Sequence, residues 1–548
     1  MLERLLSTGP ETPIVFDFTD AVQSHKRGLL TEAETKYRGI LDESPEYVPA
    51  LHNLGALLLT DGRHADALKY LHDALRVKPQ AANIHSTLGA ALLGLGDNRQ
   101  ALQSFLTSLE ISPKNADAMC NAGIACQKLK AFNRARDYFY DALELSPKHG
   151  NSLINLGLLH LELRRDAIAV KYFDRALTLY PTSATTLIGK SNALRNLGLY
   201  TEALECLDDI LERNPAQTDA RINRATLNLL LGNFAAGWQD FEARLDLKSW
   251  EPVFTGAADK IWRGEALAGK TILLSTEQGA GDAFQAIRFA RDLSAIGAVV
   301  QVAAPESLRR ILGTAPGVSD VVTSGDVPAH DYWVPIFSLP GLLNVDQQYT
   351  STTVPYLFAD KEHPKPWLAE FPQLPEHDEK RRVGLVSAGN PDHQNDDTRS
   401  INFELLSPLL SREDIQFCSL QVGEASNDLK RFPLSGSAGI IDLSSYIGDY
   451  ADTAAAISEL DLVVCVDTSV AHLAAAMGKP VWLMIAKTPD WRWQLQDTST
   501  RWYPTMRLFR QTKANDWSGV IQQVAGELEK FVAETTEQSG FGQMLAAE

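Results

Sequence analysis

Cysteine is scarce in this chain, and the little there is has no pattern. The five residues, Cys120, Cys126, Cys206, Cys418 and Cys465, are odd in number and show no metal-ligand spacing. That argues against a disulfide framework or a zinc module and predicts buried free thiols in a reducing, cytoplasmic setting. Basic residues are outnumbered, 51 Lys and Arg against 69 Asp and Glu, for a formal charge of −18. A duplex nucleic acid or an anionic membrane surface needs clustered cations, so neither is an expected partner. No apolar run reaches spanning length. The opening MLERLLSTGPETP has no apolar centre long enough for a signal peptide. No His/Asp pair has convincing metal spacing, and neither metal nor other cofactor is expected. What remains is ordinary globular composition, 45% hydrophobic and 22% charged over 548 residues, enough for about two to four domains.

The first half is an array. Pro45, Pro79, Pro113, Pro147, Pro181 and Pro215 are each 34 residues apart. Ala67, Ala101, Ala135, Ala169 and Ala203 keep that period, each four residues before Leu71, Phe105, Phe139, Phe173 and Leu207. Gly55, Gly89, Gly123 and Gly157 keep it too. Small residues let two helices of a hairpin approach closely, and proline ends the second helix. This is the tetratricopeptide signature. It predicts seven units over 14–251, the last lacking its proline, after an N-terminal segment 1–13. Such arrays form a right-handed solenoid with a concave groove. One position in the first helix of successive units reads Asn53, Thr87, Asn121, Asn155, Gly189, Asn223. There the array resembles the solenoid of O-linked N-acetylglucosamine transferases, in which an asparagine ladder holds the acceptor backbone. An Asn amide can donate to a peptide carbonyl and accept from its N–H. Repeat consensus or helix capping explains the same residues, and the two readings stand side by side.

The second half changes period. Thr271–Thr276 reads as a strand, Gly279-Ala280-Gly281-Asp282 as a turn, Ala283–Ile296 as a helix and Val299–Ala303 as the next strand, a right-handed βαβ unit. A second such region starts at RRVGLVSAGNP, continues through IQFCSLQVG and ends in VVCVDTSVAHLAAAMGKPVW. The expected division is a first Rossmann-like half at 252–365, a proline- and charge-rich linker at 366–380, and a second half at 381–515. A helix at 516–535 is expected to pack back on the first half, followed by a flexible tail at 536–548. Two doubly wound halves place a cleft between the C-terminal edges of their sheets, where ligands bind.

On four motifs this half resembles the GT-B glycosyltransferases, in particular the heptosyltransferase-like family in its version fused to tetratricopeptide repeats. They are EQGAGDAFQAIRF (277–289), GNPDHQNDDTRSI (389–401), VDTSVAHLAAAMGKPVW (466–482) and PDWRW with WYPTMRLFRQ (489–511). The fold class is therefore an α-solenoid followed by an α/β GT-B fold. In Asp467-Thr468-Ser469 a strand hands over to a helix, whose N-terminus offers unpaired N–H groups and a partial positive charge. A sugar-nucleotide diphosphate fits there without a metal. The resemblance places this segment, with His472 about one turn further on, on the sugar donor; a plain N-cap with a core histidine is the structural alternative. For the base the candidate is Asp282, which matches the proposed base of heptosyltransferases in a Gly-x-x-Gly-Asp context and is equally a natural N-cap. Gln278 and Gly281 of the same turn are counted with the donor site, and Glu277 and Gln278 could share the proton transfer. For the phosphate cation the resemblance points to Arg399, whose fork suits phosphate oxygens; His393 is a further candidate and Lys479 a weaker one. Trp491, Trp493, Trp502 and Tyr503 either stack on a ligand or pack the core.

Together these imply an inverting, metal-independent glycosyltransferase. It would move a sugar from a nucleotide sugar to Ser or Thr of a protein held by the array, with Asn53, Asn121, Asn155 and Asn223 lining the groove. The layout is that of bacterial flagellin glycosyltransferases. A non-catalytic scaffold with a degenerate transferase module, or a transferase acting on lipid or polysaccharide, are the alternatives. The motifs do not choose among UDP-hexosamine, ADP-heptose and CMP-linked donors.

Overall fold

The computed structural model describes residues 13–323, 327–346, 353–370, 380–393, 395–431 and 439–546. Residues 1–12 of the N-terminal segment and 371–379 of the expected linker lie outside them. The chain divides into two compact units, Met1–Arg213 and Asn214–Glu548.

The first unit is a run of antiparallel helix pairs, from Pro13–Lys26 with Leu30–Glu43 to Ala184–Leu197 with Tyr200–Arg213. The 34-residue period builds them directly. Ala67, Ala101, Ala135, Ala169 and Ala203 are wholly buried, as are Leu71, Phe105, Phe139, Phe173 and Leu207 four residues on. The periodic glycines are there for space: a Cβ on Gly123 would lie 2.5 Å from the Phe139 ring, and one on Gly157 would lie 2.5 Å from that of Phe173. Within-pair turns use left-handed Gly28, Gly62, Gly96 and Gly198, but Lys130 and Arg164 take that conformation in two of them. All five cysteines are buried and unpaired.

The seventh hairpin, Thr218–Leu230 with Phe234–Phe241, is the last of the expected helix pairs, but it packs with the second unit. Its aromatic side chains explain why. The Trp238 indole donates to the Val345 carbonyl at 3.0 Å, the Trp238 ring meets Trp491 edge-on at 5.2 Å, and Phe234 meets Trp502 at 6.3 Å. In place of the missing proline the chain runs on into a 3-10 turn, Glu242–Asp246.

Two sheets follow. The first has β1 (Thr271–Ser275), β2 (Val299–Ala303), β3 (Val318–Val322) and β4 (Tyr332–Pro335) in the order β3-β2-β1-β4, all parallel. The second has β5 (Arg381–Val386), β6 (Ile415–Ser419), β7 (Ile441–Asp442), β8 (Leu462–Val466), β9 (Val481–Ile485), β10 (Ser499–Thr500) and β11 (Tyr503–Arg510). Their order is β10-β11-β9-β8-β5-β6-β7, with only β10 antiparallel to its neighbour. The buried central strands β8 and β9 are continuous apolar runs, as a parallel sheet covered on both faces favours. This is the GT-B arrangement. Each sheet has one switch point, where chain order reverses: between β1 and β4, and between β5 and β8. Ligand crevices form at such points.

Three expectations are corrected. The C-terminal helix does not pack on the first half: Trp517, Val520, Ile521, Val524 and Leu528 join the core of the second sheet with Val464, Met484 and Phe509. Their helical spacing makes one apolar face, and the second sheet presents the matching one. Nor does the chain become irregular at 536, since this helix runs Trp517–Ala546. The helix read as continuous over 283–296 is broken between Ala280–Ala286 and Phe289–Ala295, where Arg288 Nε takes the Gln285 carbonyl at 2.8 Å. Among the described residues no helix is long and apolar enough to cross a membrane.

The packing of the array makes one prediction. Gly123→Ala places a methyl against the Phe139 ring, so urea unfolding should show a loss of about 1–2 kcal/mol despite alanine's better helix propensity. An unchanged midpoint would mean that the hairpin has slack at this crossing.

Candidate active site

At the first switch point, β1 is followed by Thr276-Glu277, and the chain turns through Gln278 and Gly279 into the Ala280–Ala286 helix. Gln278 is exposed and adopts the left-handed conformation, φ 60°. Asp282 then closes the turn: its Oδ2 accepts from the Gly279 N–H at 2.8 Å, at the N3 position of the helix. The helix thus starts at Ala280 rather than 283, Gly279 and not Asp282 is its N-cap residue, and the Asp282 bond back to Gly279 occupies only one carboxylate oxygen. The other, Oδ1, accepts from Arg492 Nη2, on the far half of the molecule. Burial pushes the Asp282 carboxyl above its ordinary range, with the Arg492 charge pulling the other way. Its side chain keeps 19% exposure, so it remains reachable.

Arg492 is the residue that sequence reasoning missed. It lies 92% buried in the 3-10 turn Trp491–Trp493 beyond β9. Its Nη1 donates to Asp490 at 2.8 Å and its Nε to Gln285 at 2.5 Å, and the guanidinium lies over the rings of Trp491 and Phe337. Burial opposes its charge, but Asp490 and Asp282 outweigh that and its pKa rises. The clue in the sequence was the motif PDWRW, where the neighbouring tryptophans drew the attention.

At the second switch point β8 runs into Asp467, Thr468 and the Ser469–Ala476 helix. Asp467 Oδ2 accepts from the Trp493 indole at 2.8 Å. Burial, and then nearby Asp490, raise the Asp467 carboxyl to about 6, against the pull of the Trp493 bond, Arg492 and Arg399. Thr468 is the N-cap residue, yet its Oγ1 is buried with no hydrogen-bond partner among the described residues. A buried hydroxyl at an uncapped helix N-terminus suits an anionic oxygen. Ser469 Oγ meets the Tyr450 hydroxyl at 2.9 Å. His472 is 95% buried; its Nδ1 pairs with the Tyr503 hydroxyl at 2.9 Å and its ring lies 5.2 Å from that of Trp493. Burial, then Arg492 and Arg288, hold it well below its ordinary pKa, so it is neutral.

The two turns abut. A Cβ on Gly281 would lie 2.9 Å from His472 Cδ2 and 3.5 Å from Ser469 Cα, so only glycine permits this approach. Arg399 comes from the loop after β5, beside the second switch point. Its Nε donates to Asp396 at 3.1 Å, and its guanidinium lies flat on Gly389, where any side chain would displace it. His393 of the same loop is lowered by burial and Arg399, while Asp396, Asp490 and Asp282 act oppositely. Asp282, Gly281, Asp467, Thr468, Ser469, His472, Arg399 and His393 are therefore gathered round the two switch points.

Other candidates fall elsewhere. Glu277 cannot share the proton transfer, because its side chain is fully buried and ion-paired with Arg244. Lys479 caps the Tyr450–Ser458 helix, donating to the Ser458 and Leu460 carbonyls at 2.8 Å each. Trp491, Trp493, Trp502 and Tyr503 are all at least 96% buried and are core, not a stacking platform. In the array, Asn155 and Asn223 each donate at 2.8 Å to the carbonyl four residues back, and Thr87 binds its own helix and His52. Gly189 sits under the Phe173 ring. The side chains of Asn53, Asn121 and Asn155 remain partly exposed, as does that of Asn223 in the second unit.

Asp467 supplies a pH test. Between roughly pH 4 and 6 the folded state holds a proton that the unfolded chain has lost, so this carboxyl costs stability as pH rises through that window. Asp467→Asn keeps an acceptor for Trp493 and should stabilise the fold by about 1–3 kcal/mol at neutral pH, an advantage that vanishes near pH 4. Denaturant titrations at both pH values check this. A variant equal to or weaker than the parent at neutral pH would show that Asp467 is not held in a costly ionised state.

Comparisons with known proteins match both kinds of module. Residues 47–114, and 86–150, 129–184 and 188–247, match tetratricopeptide-repeat profiles. Residues 449–502, which span the Asp467–His472 turn and Arg492, match glycosyltransferase family 9 (heptosyltransferase). Protein FlbA of Caulobacter vibrioides is 26% identical over 341 residues, 57% of this chain and 55% of FlbA. The chain thus spans about half the length of that curated relative. Among solved structures, a tetratricopeptide repeat protein from Parabacteroides merdae is 17% identical, with a TM-score of 0.37, covering 43% of this chain and 93% of its own. A thermophilic repeat protein of Thermus thermophilus is 23% identical, with a TM-score of 0.31, covering 33% and 99%. At such scores these likenesses add nothing to what the 34-residue period establishes. Period, sheet order and the matched segment together describe a tetratricopeptide-repeat array fused to a module of GT-B fold that carries a segment similar to glycosyltransferase family 9.

Proposed function

We propose that the chain is an inverting glycosyltransferase that moves a sugar from a nucleotide sugar to a Ser or Thr hydroxyl of a protein acceptor. The observation that carries this reading is the meeting of two turns: the one that bears Asp282, with a raised carboxyl, and the one that opens the Ser469–Ala476 helix, with an orphan Thr468 hydroxyl. In the proposed step the acceptor oxygen attacks the anomeric carbon and its proton passes to a free lone pair of Asp282. The bond from that carbon to the phosphate oxygen breaks, and the nucleotide phosphate leaves with the electron pair. One displacement inverts the anomeric centre. The charge that develops on the leaving oxygen is met by Arg399, by Thr468 Oγ1 and by the N–H groups of the helix N-terminus, preorganised donors of the kind that lower such barriers most. With these cationic groups in place the step needs no metal.

The repeats are the natural acceptor platform. Asn53, Asn121 and Asn155 would contact the acceptor backbone, Asn155 with one amide N–H already given to the carbonyl of Asn151. Flagellin is the specific protein acceptor suggested by the resemblance to flagellin glycosyltransferases.

Thermal-shift measurements with UDP, ADP, GDP, CMP and their sugar conjugates test the sugar-donor site, since a ligand of the native state alone raises its apparent stability. One nucleotide class should shift the parent and fail to shift Arg399→Ala; no shift with any class would favour a scaffold. Asp282→Asn should lower transfer by about 10²–10⁴-fold while nucleotide binding stays within about twofold. Activity of the parent should fall as pH drops through the raised Asp282 pKa, because the base is then protonated. Unchanged turnover in Asp282→Asn would remove it from the mechanism. Replacing both Asn121 and Asn155 with Ala should weaken acceptor binding and leave sugar-donor hydrolysis intact; equal acceptor affinity would return the ladder to repeat consensus.

A further inference from the structure

A fully hydrogen-bonded polar cluster in the second unit lies outside the site itself, where the last repeat meets the segment after β1. Arg244, in the 3-10 turn after the seventh hairpin, and Glu277, two residues beyond β1, are each 97% buried. Every N–H of the guanidinium is used. Nε donates to Glu277 Oε2 at 3.0 Å; Nη2 donates to Glu277 Oε1 at 2.7 Å and Ser338 at 3.1 Å; Nη1 donates to the Phe241 carbonyl at 3.2 Å and Glu242 at 2.8 Å. The carboxylate is equally full, with the Trp250 indole at 2.7 Å on Oε2 and the Phe337 N–H at 3.0 Å on Oε1. A buried pair met on all sides holds one geometry, whereas removing one partner leaves the other charge uncompensated.

What this cluster holds is the turn that presents Asp282. Gln278 follows Glu277 directly and sits in the left-handed region, which a residue with a side chain keeps only when both flanks are pinned. Downstream the pin is the Asp282 cap on Gly279; upstream it is Glu277 in the grip of Arg244. The same hairpin also backs the opposite turn, since Trp238 packs edge-on against Trp491, the neighbour of Arg492. We propose that the last hairpin and its 3-10 turn form part of the active-site framework rather than of the docking array, and that Arg244 is a positioning residue that sets Asp282 against Arg492. This inference rests on the role proposed above for Asp282.

Arg244→Lys in the full chain is the test. Lysine keeps the charge and loses the fork. Nucleotide affinity should stay within about twofold of the parent while kcat falls about tenfold or more. The acid limb of the pH–rate profile should move to higher pH, because the Arg492 charge no longer draws the Asp282 pKa down. The charged groups that face Asp282 are Arg492 and Asp490 from the turn after β9, Glu277 from its own strand end and His393 from the loop after β5, with neutral His472 on the adjoining helix. A variant with a lower melting temperature but an unmoved limb and parental kcat would overturn the proposal and leave Arg244 as a brace. If Arg244→Lys does not fold, Trp250→Phe removes one of the four N–H donors to Glu277 and should show the same split at smaller size; an unmoved limb there overturns the proposal equally. Absence of turnover by the parent would sink the transferase reading instead. In that event the Asp282 carboxyl titration followed by ¹³C NMR decides the positioning role by itself: an upward shift in Arg244→Lys supports it, and coincident curves refute it.

Discussion

Asp282 and Arg492 come from opposite halves of the second unit, and the geometry of the site depends on their meeting. A carboxylate withdrawn from water costs several kcal/mol unless charge and hydrogen bonds meet it. Here one oxygen is held by its own turn and the other by the far half, so neither half by itself satisfies the group. The same guanidinium is shared with Asp490 and Gln285 and lies between aromatic faces. A single buried cation thus ties the first sheet's switch point to the second's. The aromatic residues around it exclude water and make the pairing strong.

The electrostatics of the site favour function over stability. Asp282, Asp467 and Asp490 crowd two cations, Arg492 and Arg399, and both Asp282 and Asp467 are pushed up by burial. A protein selected only to stay folded would place amides or apolar groups there. Retaining costly carboxylates beside an uncapped helix N-terminus is what a site that must take a proton and receive a phosphate would require. His472 illustrates the complementary solution: buried between Tyr503 and Trp493, it is kept neutral and adds no charge to the crowd.

The fold was legible wherever its signal was local and repeated. A 34-residue period of small residues, aromatics and prolines specifies helix pairs whose partners are neighbours in sequence, so no distant contact has to be guessed. The βαβ units were equally readable, and so was the strand-to-helix turn at Asp467–Ser469, because helix N-termini carry short-range signatures; the helix read as starting at 283 starts at Ala280, with Asp282 inside its first turn. Residues whose role comes from across the molecule were not legible. Arg492 sits 210 positions from Asp282, and nothing near either reveals the other. Glu277 looked like a second acid–base group until Arg244, 33 positions upstream, together with Trp250 and Phe337, filled both its oxygens. The aromatic cluster of 491–503 could have stacked on a ligand or filled the core, and only burial separates those readings.

By itself, then, the sequence determined the period of the array, the two doubly wound halves and the identity of the turns at their edges. Each is encoded by hydrophobic spacing and capping chemistry within about a dozen residues. Tertiary structure alone decided where the array ends, which face receives the C-terminal helix and which charges meet at the cleft. Those outcomes turn on whether one surface complements another across the chain: Trp238 against Trp491, Trp517 and Val520 against the second sheet, Arg492 against Asp282. Complementarity between distant segments is a property of their shapes and burial after folding, and no pattern within either segment encodes it.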